Sequence, residues 1–323
     1  MNYIIGIPRE VKENEFRVSL VPEEVEKLIN NNYKVYLQSG AGIGAYYTDE
    51  DYIKKGAIIC EDIYKEANLI VKVKEPQEIE YDLINDNHTI MTFFHFGGNL
   101  KLKEIMKNKG TICIPYEIIK TNEGVYPILS PMSIIAGTKA MIEAHKFIND
   151  NTKEITIIGV GNAGKASIIK AKELGYNKIN LIDKDYNKIE SYKNEGFKIY
   201  EMNEINLNLL LKKSFIVIGS IYSHNKTASK LITNEMLLSM PESSIFMDIA
   251  IDQGGMTEQS IPTTITNPII KFNHVNLYCV PNIPSTVPRE ASQKLSAAIY
   301  PYINMILTNT NVENLIETFT DNN

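Results

Sequence analysis

One stretch, Ile155 to Asp183 (I-T-I-I-G-V-G-N-A-G-K-A-S-I-I-K-A-K-E-L-G-Y-N-K-I-N-L-I-D), leaves few folds open to this chain. Ile155 to Ile158 has strand character. Gly159, Gly161 and Gly164 follow in G-x-G-x-x-G spacing, and Ala163, Ala166, Ile169, Ala171 and Leu174 then carry an apolar pattern of helical period. Gly175 ends that helix, because glycine readily takes the left-handed conformation of a helix stop. A second strand, Ile179 to Ile182, carries Asp183 at its end. This is the order a dinucleotide demands. Gly159 permits a tight turn, Gly161 lets the backbone approach a pyrophosphate, and Gly164 lets helix and strand pack closely. The helix N-terminus offers free N–H groups and a positive dipole to the phosphates, and Asp183 can accept hydrogen bonds from the adenosine ribose. The plainer reading is a glycine-rich turn in an ordinary βαβ unit. Lys184 and Lys178 flank the second strand and could meet a 2′-phosphate. Consecutive strand-end side chains point in opposite directions, however, so Asp183 is expected to face the ribose and to favour NAD over NADP.

With 323 residues the chain can bury two cores, and a formal net charge of −6 argues against a general nucleic-acid surface. Cys60, Cys113 and Cys279 are far apart and show no metal spacing, which fits a reducing compartment with buried thiols. The first residues, M-N-Y-I-I-G-I-P-R-E, lack a signal-peptide core, and no apolar run reaches membrane-spanning length. A cytoplasmic protein without membrane contact is expected.

Before the glycine stretch the sequence alternates strand and helix. Strands are expected at Tyr3–Ile7, Tyr33–Gln38, Leu69–Val73, Thr89–Phe94 and Thr111–Pro115, and helices near Pro22–Asn30, Thr48–Lys55, Ile63–Glu66 and Leu100–Asn108. Pro127–Met132 reads as a crossing segment. Ser133 is the expected cap of an alanine-rich helix to about Asn149. Beyond the glycine unit, strands are expected near Phe197–Tyr200, Phe215–Ile218, Ser244–Ile249 and Leu277–Val280, before a long helix at about Arg289–Leu307. The fold class is therefore α/β, with two Rossmann-like doubly wound domains and a cleft between them. The first domain is discontinuous: residues 1–132 and 286–323 form a substrate domain, and residues 133–285 the dinucleotide domain.

Charged residues at strand ends are candidates for chemistry in open α/β sheets. Lys74 follows Leu69–Val73, His95 follows Met91–Phe94, Asp252 lies in D-I-A-I-D-Q-G-G, and Arg17 sits in N-E-F-R-V-S-L. Singly, each has a plain structural reading: Arg17 as a surface ion-pair partner, Lys74 as a snorkelling lysine, His95 as a satisfied turn residue, Asp252 as a cap or Asx turn. As a set they suit hydride transfer at the α-carbon of an amino or hydroxy acid. Arg17 can clamp a carboxylate and Lys74 can hold the carboxylate or carbonyl. His95 can exchange a proton near neutral pH, and Asp252 can act on water or ammonia as it adds. No nucleophile elbow, zinc spacing or Walker lysine is present.

Seven runs together resemble the alanine dehydrogenases, which share a fold family with the NAD-binding subunit of pyridine nucleotide transhydrogenase. They are G-I-P-R-E-V-K-E-N-E-F-R-V-S-L (6–20), V-K-V-K-E-P (71–76), T-F-F-H-F (92–96), S-P-M-S-I-I-A-G (130–137), G-V-G-N-A-G (159–164), M-D-I-A-I-D-Q-G-G (247–255) and P-N-I-P-S-T-V-P-R (281–289). The resemblance implies that Arg17 and Lys74 bind the substrate, with Met132 beside it, and that His95 and Asp252 serve acid–base steps. It implies that Ser133, Gly159, Gly161, Gly164, Asp183 and Asn282 bind NAD. The implied reaction interconverts L-alanine with pyruvate and ammonia in a homo-oligomer, dimer or hexamer. The chain departs from the family in three places. It lacks the glycine-rich insertion before the first strand of the dinucleotide domain. Ile134 and Thr138 replace a Glu and an Arg, and Ser223–Thr227 replaces a proline-glycine loop.

The short length also resembles N5-(carboxyethyl)ornithine synthase, which joins pyruvate to an ornithine amine with NADPH. His95 and the D-Q-G-G run favour the dehydrogenase. A non-catalytic dinucleotide-binding or transhydrogenase-like module would need none of Arg17, Lys74, His95 and Asp252.

Overall fold

The computed structural model describes residues 3–221, 230–310 and 315–316. The chain divides into two compact units, Met1–Met132 with Ser285–Asn323, and Ser133–Pro284.

The first unit is built on six strands: β1 (Ile5–Ile7), β2 (Val35–Gln38), β3 (Ile58–Cys60), β4 (Leu69–Lys74), β5 (Thr89–Phe93) and β6 (Ile112–Pro115). They lie in the order β3-β2-β1-β4-β5-β6, and every pair is parallel. Their central members are buried throughout, as in a sheet covered on both faces, though β4 carries Lys72 and Lys74 among its apolar residues. Helix Pro22–Asn30 starts with proline in its first turn, where no N–H is needed. Helix Leu100–Asn108 is capped by Asn99, whose side chain accepts from the Leu102 amide at 3.1 Å. Strand β3 was not expected from the sequence. Cys60 at its end is only half-buried, unlike Cys113 and Cys279. The chain lays down β1 to β3 on one side and resumes at β4 on the other. This order leaves the carboxyl ends of β1 and β4 side by side at a switch point, where open α/β sheets form their crevice.

The second unit holds β7 (Ile155–Ile158), β8 (Ile179–Asp183), β9 (Lys198–Glu201), β10 (Ile216–Gly219), β11 (Ile245–Asp248), β12 (Ile269–Phe272) and β13 (Val275–Tyr278). The order is β12-β13-β11-β10-β7-β8-β9, parallel except for the β12–β13 hairpin. The hairpin corrects the expected strand at Leu277–Val280. Its turn is Asn273-His274, with Asn273 at φ 52°, in place of the Asn-Gly that announces such turns in a sequence.

The helix before β7 runs from Leu129 to Ile148, so it starts four residues earlier than the sequence suggests. Ser133 is therefore inside the helix and not its cap. Residues 129–132 of the expected crossing segment belong to the helix, and Pro131 lies in its first turn, where a missing N–H costs nothing.

Candidate active site

At the carboxyl edge of the first unit, Lys74 closes β4 and is paired in register with Phe93, the last residue of β5. His95 follows two residues on. Its backbone is left-handed at φ 54°, a conformation that costs free energy for a residue with a side chain. Buried Glu117 holds the turn: its carboxylate accepts from the His95 amide at 2.5 Å and from the Phe94 amide at 3.2 Å. Burial pushes the Glu117 carboxyl up, against the pull of His95 and those amides. The His95 ring stacks on Phe93 with centroids 5.9 Å apart, and its Nδ1 stands 3.5 Å from Glu75 Oε2. The other oxygen of Glu75 takes the Lys12 ammonium. Burial alone would raise the Glu75 carboxyl, but His95, Lys12 and Lys74 outweigh it and hold it at about 2. Glu75 is thus an anion at any ordinary pH. It faces the Nδ1 edge of the ring.

Arg17 lies in a segment without strand partners. The segment is held by serines at the start of the long C-terminal helix, Pro288–Leu307, and just before it. Ser285 Oγ accepts from Phe16, Ser292 Oγ from Val18 and Ser296 Oγ from Val21, at 3.1, 2.9 and 3.0 Å. The Arg17 side chain is 3% exposed, so it is no surface ion-pair partner. Its Nε and NH2 bond the two oxygens of Glu15 at 2.7 and 2.5 Å, and NH1 reaches Met132 Sδ at 3.2 Å. The structure therefore brings Arg17 and Met132 together.

In the second unit the glycines behave as a phosphate cradle requires. Gly159 has φ 87°. A Cβ on Gly164 would stand 2.0 Å from the Gly159 carbonyl oxygen, whereas one on Gly161 would meet nothing within 4 Å. Helix Asn162–Glu173 begins at Gly161 with no side-chain cap on its first turn. That combination fits a dinucleotide pyrophosphate. Gly137 has a comparable packing reason: a Cβ there would lie 1.9 Å from the Ala163 carbonyl oxygen, and Ser167 Oγ donates to the Gly137 carbonyl at 2.9 Å. Asp183 is buried, and its oxygens accept from the Val160 amide at 2.6 Å and the Asp185 amide at 3.0 Å. Lys188, not Lys184 or Lys178, is the lysine beside it, at 3.5 Å.

Asp252 is exposed in a short turn after β11, and both its oxygens stand 3.2 Å from the amide of Asn282, so these two candidates meet. The capping role considered for Asp252 belongs to Asp248. That carboxylate accepts from the Ala250 amide at 3.1 Å and the Met256 amide at 2.7 Å, and burial pushes it up. Ser133 is half-buried in the second unit, near the start of its helix. The Ser223–Thr227 departure lies outside the described residues. Among the described residues, no group of three or more His, Cys, Asp or Glu could hold a metal, and no helix is long and apolar enough to cross a membrane.

The residues missed in the sequence are carboxylates. Glu10 and Glu15 lie inside the first family run and Glu75 inside the second, so position gave a hint. Glu117 lies in none of the runs and carried no signal.

Two parallel-sheet α/β units, one with a dinucleotide cradle and one with cations and an imidazole at its carboxyl edge, define a two-domain, dinucleotide-binding class of protein. The chain belongs to the alanine dehydrogenase/PNT family: its N-terminal domain model matches residues 6–136 and its C-terminal domain model residues 139–320. An alanine dehydrogenase of Mycolicibacterium smegmatis is 33% identical over 93% of this chain and 86% of its own length. One from Staphylococcus epidermidis is 32% identical over 94% and 87%. Among solved structures, an L-alanine dehydrogenase superposes with a TM-score of 0.87 at 28% identity, covering 96% of this chain and 91% of that one. A transhydrogenase from Sinorhizobium meliloti shares the fold with a TM-score of 0.87 at 23% identity, over 98% and 97%.

Proposed function

We propose that the protein is an NAD-dependent L-alanine dehydrogenase that interconverts L-alanine with pyruvate and ammonia. The observation that carries this reading is the Lys74–Glu75–His95 group: a buried lysine and an imidazole share one carboxylate at the carboxyl edge of a parallel sheet. The names of the relatives support the same reading. Arg17 holds the substrate carboxylate; Glu15 fixes the plane of its guanidinium, and Met132 borders the site. Lys74 holds the substrate's carboxylate or carbonyl as a point charge. His95 moves the proton, with Glu75 fixing the ring. Asp252 acts on the water or ammonia that adds to the α-carbon. Gly159, Gly161 and Gly164 seat the pyrophosphate, Asp183 accepts from the ribose, and Ser133 and Asn282 contribute to the same ligand. The bound nicotinamide supplies a hydride acceptor for the α-hydrogen. The residues 1–132 and 286–323 form the substrate domain and 133–285 the NAD domain of a cytoplasmic homo-oligomer.

A panel of amino and keto acids with NAD(H) and NADP(H), with and without ammonia or ornithine, tests the reading at the nicotinamide absorbance. Reduction of NAD that requires L-alanine, and oxidation of NADH that requires pyruvate with ammonia, is expected. Pyruvate consumption that needs ornithine and NADPH would replace the proposal with the carboxyethylornithine synthase reaction. Dinucleotide binding without turnover of any pair would leave a binding module.

A further inference from the structure

Strand β4 carries one residue more than its neighbour at the end that bears Lys74. Val71 is paired with Met91 and Lys74 with Phe93, so three steps on β4 face two on β5. Such a bulge interrupts the ladder and re-aims the side chain beyond it. Buried backbone groups released in this way need other partners, and side chains supply them. Ser19 Oγ donates to the Val71 carbonyl at 2.6 Å, and Tyr116 OH donates to the Lys72 carbonyl at 2.9 Å. The two amides fall to one carboxylate: Glu10 Oε1 accepts from Val73 at 2.6 Å and Oε2 from Lys74 at 3.3 Å. Glu10 lies just past β1, the strand next to β4, so this grip spans the switch point of the first unit.

The grip is electrostatically expensive. The Glu10 side chain is 3% exposed, and its cation, Lys72, is shared: Lys72 Nζ stands 3.5 Å from Glu10 and bonds Glu80 at 2.7 Å. Tyr64 OH also donates to Glu80, at 2.7 Å. Two buried carboxylates on one ammonium stabilise a fold less than apolar residues of the same volume would. Neutral hydroxyls already serve the two carbonyls of the same bulge. A carboxylate is needed only where two adjacent amides must be held together in one plane.

We propose that Glu10 is a positioning residue: its carboxylate clamps the bulged end of β4 and so presents the Lys74 ammonium to the substrate. The proposal rests on the reading of Lys74 as a substrate-binding group. Glu10→Gln and Glu10→Asp test it, through steady-state kinetics and backbone amide exchange above about pH 8, where Glu10, pushed up to about 7, is ionised. Gln keeps the size and one acceptor oxygen but not the charge. Asp keeps the charge facing Lys72, and with it the fold should Gln lose it, but withdraws the carboxylate by one methylene. In the folded variants, KM for pyruvate rises about tenfold, the loss of one charge-assisted bond, while kcat at saturating pyruvate stays within about threefold. NADH affinity is unchanged, and the Val73 and Lys74 amides exchange about tenfold faster or more. A KM within about twofold of wild type, or unchanged exchange at both amides, overturns the proposal. Failure of the wild type itself to turn over alanine and pyruvate falls on the activity, and is seen before any variant is compared; failure confined to the variants falls on Glu10.

Discussion

The two units wind their sheets in the same order about the first strand of each, with β1 beside β4 in one and β7 beside β10 in the other. Yet their switch points are built from opposite materials. In the second unit the edge is built on glycine: a Cβ on Gly161 would meet nothing within 4 Å, and the helix that starts there has no side-chain cap. In the first, the edge is crowded with charge, His95 on Glu75 and Glu10 on the amides leading to Lys74, and Arg17 is buried on Glu15. A shared topology chooses where a ligand can sit, and the residues at the strand ends choose what it is. A pyrophosphate is recognised by backbone and dipole, so space is what its site needs. A small acid offers only a carboxylate and a carbonyl, so its site needs cations held still.

The contrast breaks most sharply at the cations. Lys74→Ala and His95→Asn are expected to lower kcat/KM by about a hundredfold or more while dinucleotide affinity, a property of the other unit, stays put. Arg17→Ala should do the same and also destabilise the chain by about 3–5 kcal/mol, because Glu15 is left buried without its partner. Urea unfolding beside steady-state kinetics separates the two effects. Near-wild-type turnover in any of the three would take that residue out of the site.

Next come the glycines, where the second unit should fail through space. Gly164→Ala drives a Cβ into the Gly159 backbone and should lower Tm by several degrees as well as abolish dinucleotide binding. Gly161→Ala meets nothing in the protein, so Tm should hold while the dinucleotide Kd rises. Equal effects on Tm would show that the cradle is not kept open for a ligand.

Acid–base linkage sets two carboxylates of the first unit against each other. Glu75 is held at about 2, below its ordinary 4.5. It contributes about 3 kcal/mol that is present above pH 4.5 and lost as the pH falls towards 2. Burial pushes Glu10 the other way, to about 7, in spite of Lys72 and the Val73 amide, with Glu15 and Glu80 adding to the rise. The folded state then binds the extra proton, and this contribution to stability is lost as the pH rises from 4.5 through 7. Thermal unfolding across pH should therefore show a shallower acid limb in Glu75→Gln, and no decline between pH 5 and about 7 in Glu10→Gln. Parallel profiles in wild type and both variants would refute these assignments.

The smallest effect is expected at Asp183. Its charge opposes a 2′-phosphate, but Lys188 at 3.5 Å offsets part of it, so a preference for NAD of about tenfold is expected. Asp183→Ala should bring the two kcat/KM values together, and Lys188→Ala should widen them. A wild type that prefers NADP would reverse the assignment.

The dinucleotide half was legible because its signals are local. A strand, three glycines, a helix stop and a strand-end acid follow one another within a single βαβ unit, and each is a backbone requirement that one residue type meets. The candidates at the strand ends of the first unit were legible as types: Lys74 and His95 do stand at its carboxyl edge, while Arg17 lies buried against Glu15 and Met132. Their supports were not. Glu10 grips an amide 63 residues away, and Glu117 grips one 22 residues away. A glutamate destined for such a grip looks like any surface glutamate until the chain is folded. Likewise, Ser133 spoke for a helix start that the structure puts at Leu129.

By itself, the sequence determined the alternation that makes parallel sheets, the glycine turn and the set of ionisable residues, since these follow from dihedral preference and periodicity over a few residues. Only the tertiary structure decided which carboxylates are buried, that β4 bulges before Lys74, and that Arg17 is inside and not on the surface. Burial and long-range hydrogen bonds depend on neighbours that the chain supplies from elsewhere, and no local pattern encodes them.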